Sequence, residues 1–126
     1  MADQIVTITQ DSITYPIQKI SWDWLSASDG SVSSTASGSY MGKVVKAILA
    51  SDSGATAPTN LYDVTIEDED GYDVLSGVGA NVNSAATVYL VDPDKCLWVR
   101  SNSLTLKVAN AGAEKGGVVT LYIQRA

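Results

Sequence analysis

Glu67-Asp68-Glu69-Asp70, with Gly71 and Asp73 close behind, is the densest group of chemically capable side chains in the chain. Carboxylates on a Gly-marked turn are the oxygen donors that a hard cation such as Ca²⁺ takes. Their spacing does not match the twelve-residue loop of an EF-hand, with its distant closing Glu. Four adjacent negative charges also repel one another, so the run belongs in solvent. There water keeps the carboxylates ionised and raises no pKa for acid catalysis. The acidic run is therefore read first as a solvated turn that guards a sheet edge.

Other routes to chemistry are closed by composition. The chain has no His, which removes a histidine base, a His metal ligand and a Ser-His-Asp relay. Its one cysteine, Cys96, has no partner for an internal disulfide or a multi-Cys metal site. It sits in Cys96-Leu97-Trp98-Val99, where a small buried hydrophobe is expected. Gly77-Val78-Gly79-Ala80 lacks the spacing and the lysine of a phosphate loop. No residue is singled out as catalytic, cofactor-binding or metal-binding, and the chain is not read as an enzyme. Aromatic residues offer a different chemistry, since exposed rings stack on the apolar faces of sugars. Trp22 and Trp24, on one face by parity, are the candidates for a sugar platform or protein contact, whereas Trp98 reads as core or interface.

The chain is a single domain by length, with 45% hydrophobic residues and only 17% charged ones over 126 positions. Six of its fourteen acidic residues fall between Asp63 and Asp73, and its eight cations are dispersed along the sequence. Without a visible basic patch, direct nucleic-acid binding is disfavoured. No run reaches the roughly 20 apolar residues of a membrane helix. The first residues carry neither a basic segment nor an apolar core, so synthesis in a cytoplasm is expected.

Short alternating segments must position these groups. Residues 60–75 alternate through Tyr62, Val64 and Ile66 and then break at the acidic turn, which reads as a strand entering a tight connection. Residues 5–9 form a strand, and residues 13–25 form another, bent near Gln18 and Lys19 with Pro16 at an edge or break. Residues 26–39, rich in Ser and Gly, read as a flexible loop or contact arm. Residues 40–51 are assigned as strand, residues 86–91 as another, and residues 92–95 as a turn. Residues 104–108 and 118–123 alternate Leu104, Leu106, Val108 and Val119, Leu121, Ile123 inward, and are expected to pair as antiparallel neighbours. Seven or eight short strands punctuated by Gly, Pro, Asp and Ser give an all-β class, a compact antiparallel β-sandwich or small β-barrel with long Ser/Gly-rich loops.

Across residues 60–123 the chain resembles small β-rich structural proteins encoded with the head genes of tailed bacteriophages. The likeness lies in YDVTIEDEDGYDVL (62–75), GVGAN (77–81), NSLTLKVANAG (102–112) and GVVTLYI (117–123). It implies a virion component, a capsid decoration protein that stabilises the shell by binding the major capsid protein lattice. Self-association, as a homotrimer, goes with that role, and neither a cofactor nor a membrane does. The alternatives are a carbohydrate-binding or host-attachment module and a head-tail adaptor.

Overall fold

The computed structural model describes residues 3–11, 16–90 and 98–125. They form seven strands: β1 (Ile5–Asp11), β2 (Ile17–Leu25), β3 (Val32–Ser51), β4 (Asp63–Glu67), β5 (Val88–Leu90), β6 (Trp98–Ala109) and β7 (Gly116–Gln124). A short 3-10 turn at Gly54–Thr56 is the sole helical element among the described residues. All pairings are antiparallel, in one sheet ordered β1-β2-β7-β3-β6-β4, with β5 beside β3. The expected all-β class is what the chain forms.

β3, twenty residues long, organises the sheet. Its second half lies between β7 on one edge and β5 on the other, while its first half pairs with β6. Its register shifts twice, between Ser37 and Tyr40 and between Val44 and Lys46. Between the two shifts Gly42 has a φ of +140°, and a Cβ there would run into the Gln124 carbonyl. Bulges add twist and bend a strand. The sheet accordingly folds back over itself: Trp24 on β2 meets Tyr62, the residue before β4, with ring centroids 5.8 Å apart.

Folding back leaves the free edge of the first half of β3 beside β1 and β2, and three glutamines close it. Gln4 Nε2 donates to the Ser33 carbonyl at 2.7 Å, and its Oε1 accepts the Ser33 N–H at 2.7 Å. Gln18 repeats the pattern on the Ser39 carbonyl (2.8 Å) and the Met41 N–H (3.4 Å). Gln10 donates to the Ser37 carbonyl at 3.3 Å and accepts the Tyr40 hydroxyl at 2.7 Å. A primary amide carries a donor and an acceptor side by side, so it stands in for the peptide of an absent strand. The β4 edge is covered differently. Val64 N–H donates to the Gly79 carbonyl at 2.7 Å, Val74 N–H to the Ile66 carbonyl at 2.8 Å, and the Asp73 carboxylate accepts the Ile66 N–H at 3.2 Å.

One apolar cluster fills the fold, built on Ile20, Trp22 and Trp24 of β2, Val44 and Leu49 of β3, Leu104 and Leu106 of β6, and Leu121 and Ile123 of β7. The inward alternation expected for β4, β6 and β7 is present. Several local expectations change. Residues 26–39 are a turn followed by the first half of β3, not a flexible loop or arm. Val32, Ala36 and Tyr40 are buried, and outward hydroxyls pair across strands, as Thr35 does with Thr105 at 2.9 Å. The bend expected at Gln18 and Lys19 is absent, because every residue of β2 pairs with β7 and the break falls before Ile17. β6 and β7 are not neighbours, since β3 runs between them and pairs with both. The strand of residues 60–75 contracts to β4, with Tyr62 bridged to Val82. Cys96 and the turn expected at residues 92–95 lie outside the described residues.

Candidate functional site

The outward face of β2, β7, β3, β5 and the start of β6 brings together the exposed Tyr89 and Trp98, the half-buried Tyr122 and several cations. Past Gly42, β3 turns Lys43, Lys46 and Ile48 away from the core, between the buried Val44, Ala47 and Leu49. Cross-strand register sets their neighbours: Lys43 opposite Trp98, Lys46 opposite Tyr122, Ile48 opposite Tyr89 and Met41 opposite Arg100. Tyr122 also faces Lys19 across β2. Its ring is flanked on both sides by ammonium groups, Lys19 Nζ at 5.7 Å and Lys46 Nζ at 5.4 Å from the centroid. A ring face attracts cations through its quadrupole, which holds these two long side chains over the sheet. Half of the eight cations, Lys19, Lys43, Lys46 and Arg100, thus share one surface of a chain whose net charge is −6.

The structure overturns the platform expected of Trp22 and Trp24, and of the two readings of Trp98, core or interface, it removes the core. Trp22 and Trp24 are 0% and 2% exposed, so neither is a platform or a contact face. Trp98 is 70% exposed. Parity carried the signal: Lys19, Ser21 and Asp23 alternate with Ile20, Trp22 and Trp24, whereas Trp98 shares its face with Arg100 and not with Val99.

The acidic turn borders this face. Its tip is closed by Gly71 N–H donating to the Asp68 carbonyl at 3.0 Å, with Gly71 at a φ of +81°. Asp68 Oδ1 accepts the N–H groups of Asp70 (2.9 Å) and Tyr72 (3.0 Å). Asp73 accepts the N–H groups of Ile66, Leu75 and Gly77. Both carboxylates are engaged in shaping backbone, and among the described residues no cluster of three acidic, His or Cys side chains could hold a metal ion. An ion pair from Lys107 to Glu67 at 3.1 Å ties the base of the turn to β6. Glu69 N–H donates to Ser101 Oγ at 3.0 Å, and Ser101 Oγ donates to the Ser103 carbonyl at 2.6 Å.

An open cleft of about 580 Å³ lies between the turn and the start of β6, lined by Met41, Glu69, Asp70, Arg100 and Asn102 among others. Tyr40 forms its inner wall, where burial pushes the phenol above its ordinary range and the bond to Gln10 offsets part of that rise.

No family model, no curated protein and no solved structure matches the chain. Its class is set by architecture alone, an all-β protein built on one antiparallel seven-stranded sheet.

Proposed function

We propose that this chain is a structural component of a tailed-phage particle, a capsid decoration protein that binds the major capsid lattice and associates with itself as a homotrimer. The supporting observation is the outward face centred on Tyr122, with Lys19 and Lys46 over its ring and Ile48 and Tyr89 alongside. Rings backed by rigid sheet provide contact area at small entropic cost, and aromatic residues are enriched in interface centres. The lysines steer the face towards an acidic partner surface. A protein bound across neighbouring capsid subunits stabilises the closed shell by mass action, since it must be released before they part. The resemblance of residues 60–123 to phage head proteins points to the same role.

The test adds the purified chain to particles that lack it and images them. Decoration predicts many copies distributed over the shell, a raised temperature of shell opening, and loss of both with Tyr122→Ala and Lys46→Glu together. Density confined to one vertex, or no binding, would sink the reading.

A further inference from the structure

We infer that the exposed Trp98, together with the neighbouring cleft beside the acidic turn, forms a carbohydrate site for a neutral hexose or N-acetylhexosamine. The inference is independent of the decoration reading, which rests on the Tyr122 face. Trp98 supplies a flat apolar surface, 70% exposed at the start of β6. Arg100 and Asn102 follow on alternate positions of the same strand, and all three are exposed. At about 3.4 Å per residue they lie roughly 7 Å and 14 Å beyond Trp98, the span of one or two sugar rings. Glu69 and Asp70 line the cleft with Arg100 and Asn102, while Trp98 stands just outside it, one alternate position along β6 from Arg100. Carboxylates accept from hydroxyls, a guanidinium donates to them, and an amide does both. A sugar stacked on the indole therefore meets both donors and acceptors at its polar rim.

The polar groups are free to do this. Among the described residues the side chains of Glu69, Asp70, Arg100 and Asn102 make no hydrogen bond or ion pair, whereas the backbone around them is fixed. Ser101, 4% exposed, holds the Glu69 N–H. Gln18, 5% exposed, holds Met41 and Ser39, and Tyr40 is anchored on Gln10. A wall ordered before the ligand arrives lowers the entropy lost on binding. Glu69 and Asp70 balance Arg100 and Lys43, which stands opposite Trp98, so the site has no net charge with which to draw an anion and suits a neutral sugar.

Tryptophan emission reports on the site directly, because Trp98 is exposed while Trp22 and Trp24 are buried. The probe is a panel of glucose, galactose and N-acetylglucosamine oligosaccharides titrated into the whole chain. The inference expects saturable binding by at least one of them, a blue shift, and protection of the emission from acrylamide. Trp98→Ala, followed by calorimetry, should weaken binding by about tenfold or more, as loss of a stacking ring does. Asp70→Asn and Asn102→Ala should each weaken it too, and they stand as the test should Trp98→Ala disturb the fold. Tyr122→Ala should leave it unchanged. No saturable binding at millimolar sugar, or binding indifferent to all three substitutions, overturns the inference.

Discussion

Trp24 and Tyr62 pack with ring centroids 5.8 Å apart and planes tilted by 52°, although β2 and β4 lie four steps apart in the sheet order. That contact, with the Tyr62 hydroxyl hydrogen-bonded to Ser51 at 2.7 Å, pins one layer of the folded sheet to the other. Both side chains are buried. Trp24→Ala opens a large cavity at this junction and should cost about 3 to 5 kcal/mol. Trp24→Phe should cost clearly less. It keeps most of the packing and removes an indole N–H that finds no acceptor among the described residues. Urea unfolding of the two variants checks the order, and equal losses would mean that the ring contact does not hold the layers.

The glutamine seam makes a second prediction. Gln18→Leu leaves the Ser39 carbonyl and the Met41 N–H without their amide partner. An unsatisfied buried polar group costs about 1 to 3 kcal/mol, and because these bonds are part-buried the substitution should destabilise towards the lower end of that range. Gln4 makes the same pair of bonds at an exposed site, where water replaces the lost partner, and Gln4→Leu should cost well under half as much. Hydrogen exchange supplies a local readout: the Met41 amide should lose protection in Gln18→Leu while the Leu49 amide keeps it. Unchanged protection at Met41 would show that the amide does not replace a strand there.

This seam also marks how far the sequence could be read. Period-two alternation located β4, β6 and β7 and their inward residues, because side-chain parity is a local property. The length of β3 was not legible. Its first half has small Ser, Thr, Ala and Gly residues in place of bulky β-formers, and Gln4, Gln10 and Gln18 complete its edge from distant positions. Pairing order was hidden for a similar reason, since β3 inserts between β6 and β7 from far upstream. For the candidate site, the acidic turn was visible and its placement against Ser101 was not. The apolar neighbours Leu97 and Val99 suggest a core position for Trp98, whereas its parity with Arg100 points outward, as the structure has it.

Gly42 carries a third prediction. Its φ of +140° is open to glycine and resisted by other residues, and a Cβ has no room beside the Gln124 carbonyl. Gly42→Ala must therefore move β3 away from β7 at the point where the sheet begins to fold back. A loss of about 2 kcal/mol or more is expected, above the centre of about 1 kcal/mol for single changes. Gly54 is the control: its φ is +75° but nothing lies within 4 Å of an added Cβ. Gly54→Ala should cost only the left-handed backbone penalty, about 1 kcal/mol. Thermal unfolding of the pair separates steric collision from backbone strain, and equal shifts in Tm would remove the collision from the account.

Two titrating groups give stability opposite dependences at the ends of the pH scale. Burial pushes the Tyr62 phenol above its ordinary value of about 10, with the Ser51 bond working against that and the Asp52 charge adding to it. A raised pKa means that the folded state favours the neutral phenol. Its stabilisation is complete below about pH 10 and is lost as pH rises through the folded value. Asp63 moves the other way, because the Asn81 N–H at 2.9 Å and the Asn110 amide at 2.9 Å favour its charged form. Its stabilisation is present above the unfolded value of about 3.9 and is lost as pH falls through the lower folded value. Tyr62→Phe should therefore be less stable than the parent near neutrality, through loss of the Ser51 bond, and should flatten the decline above pH 10. Asp63→Asn should flatten the acid limb and leave the alkaline one alone. Denaturant midpoints measured from acid to alkali test both limbs, and an alkaline decline unchanged by Tyr62→Phe would assign it to Tyr40, the other buried phenol raised by burial.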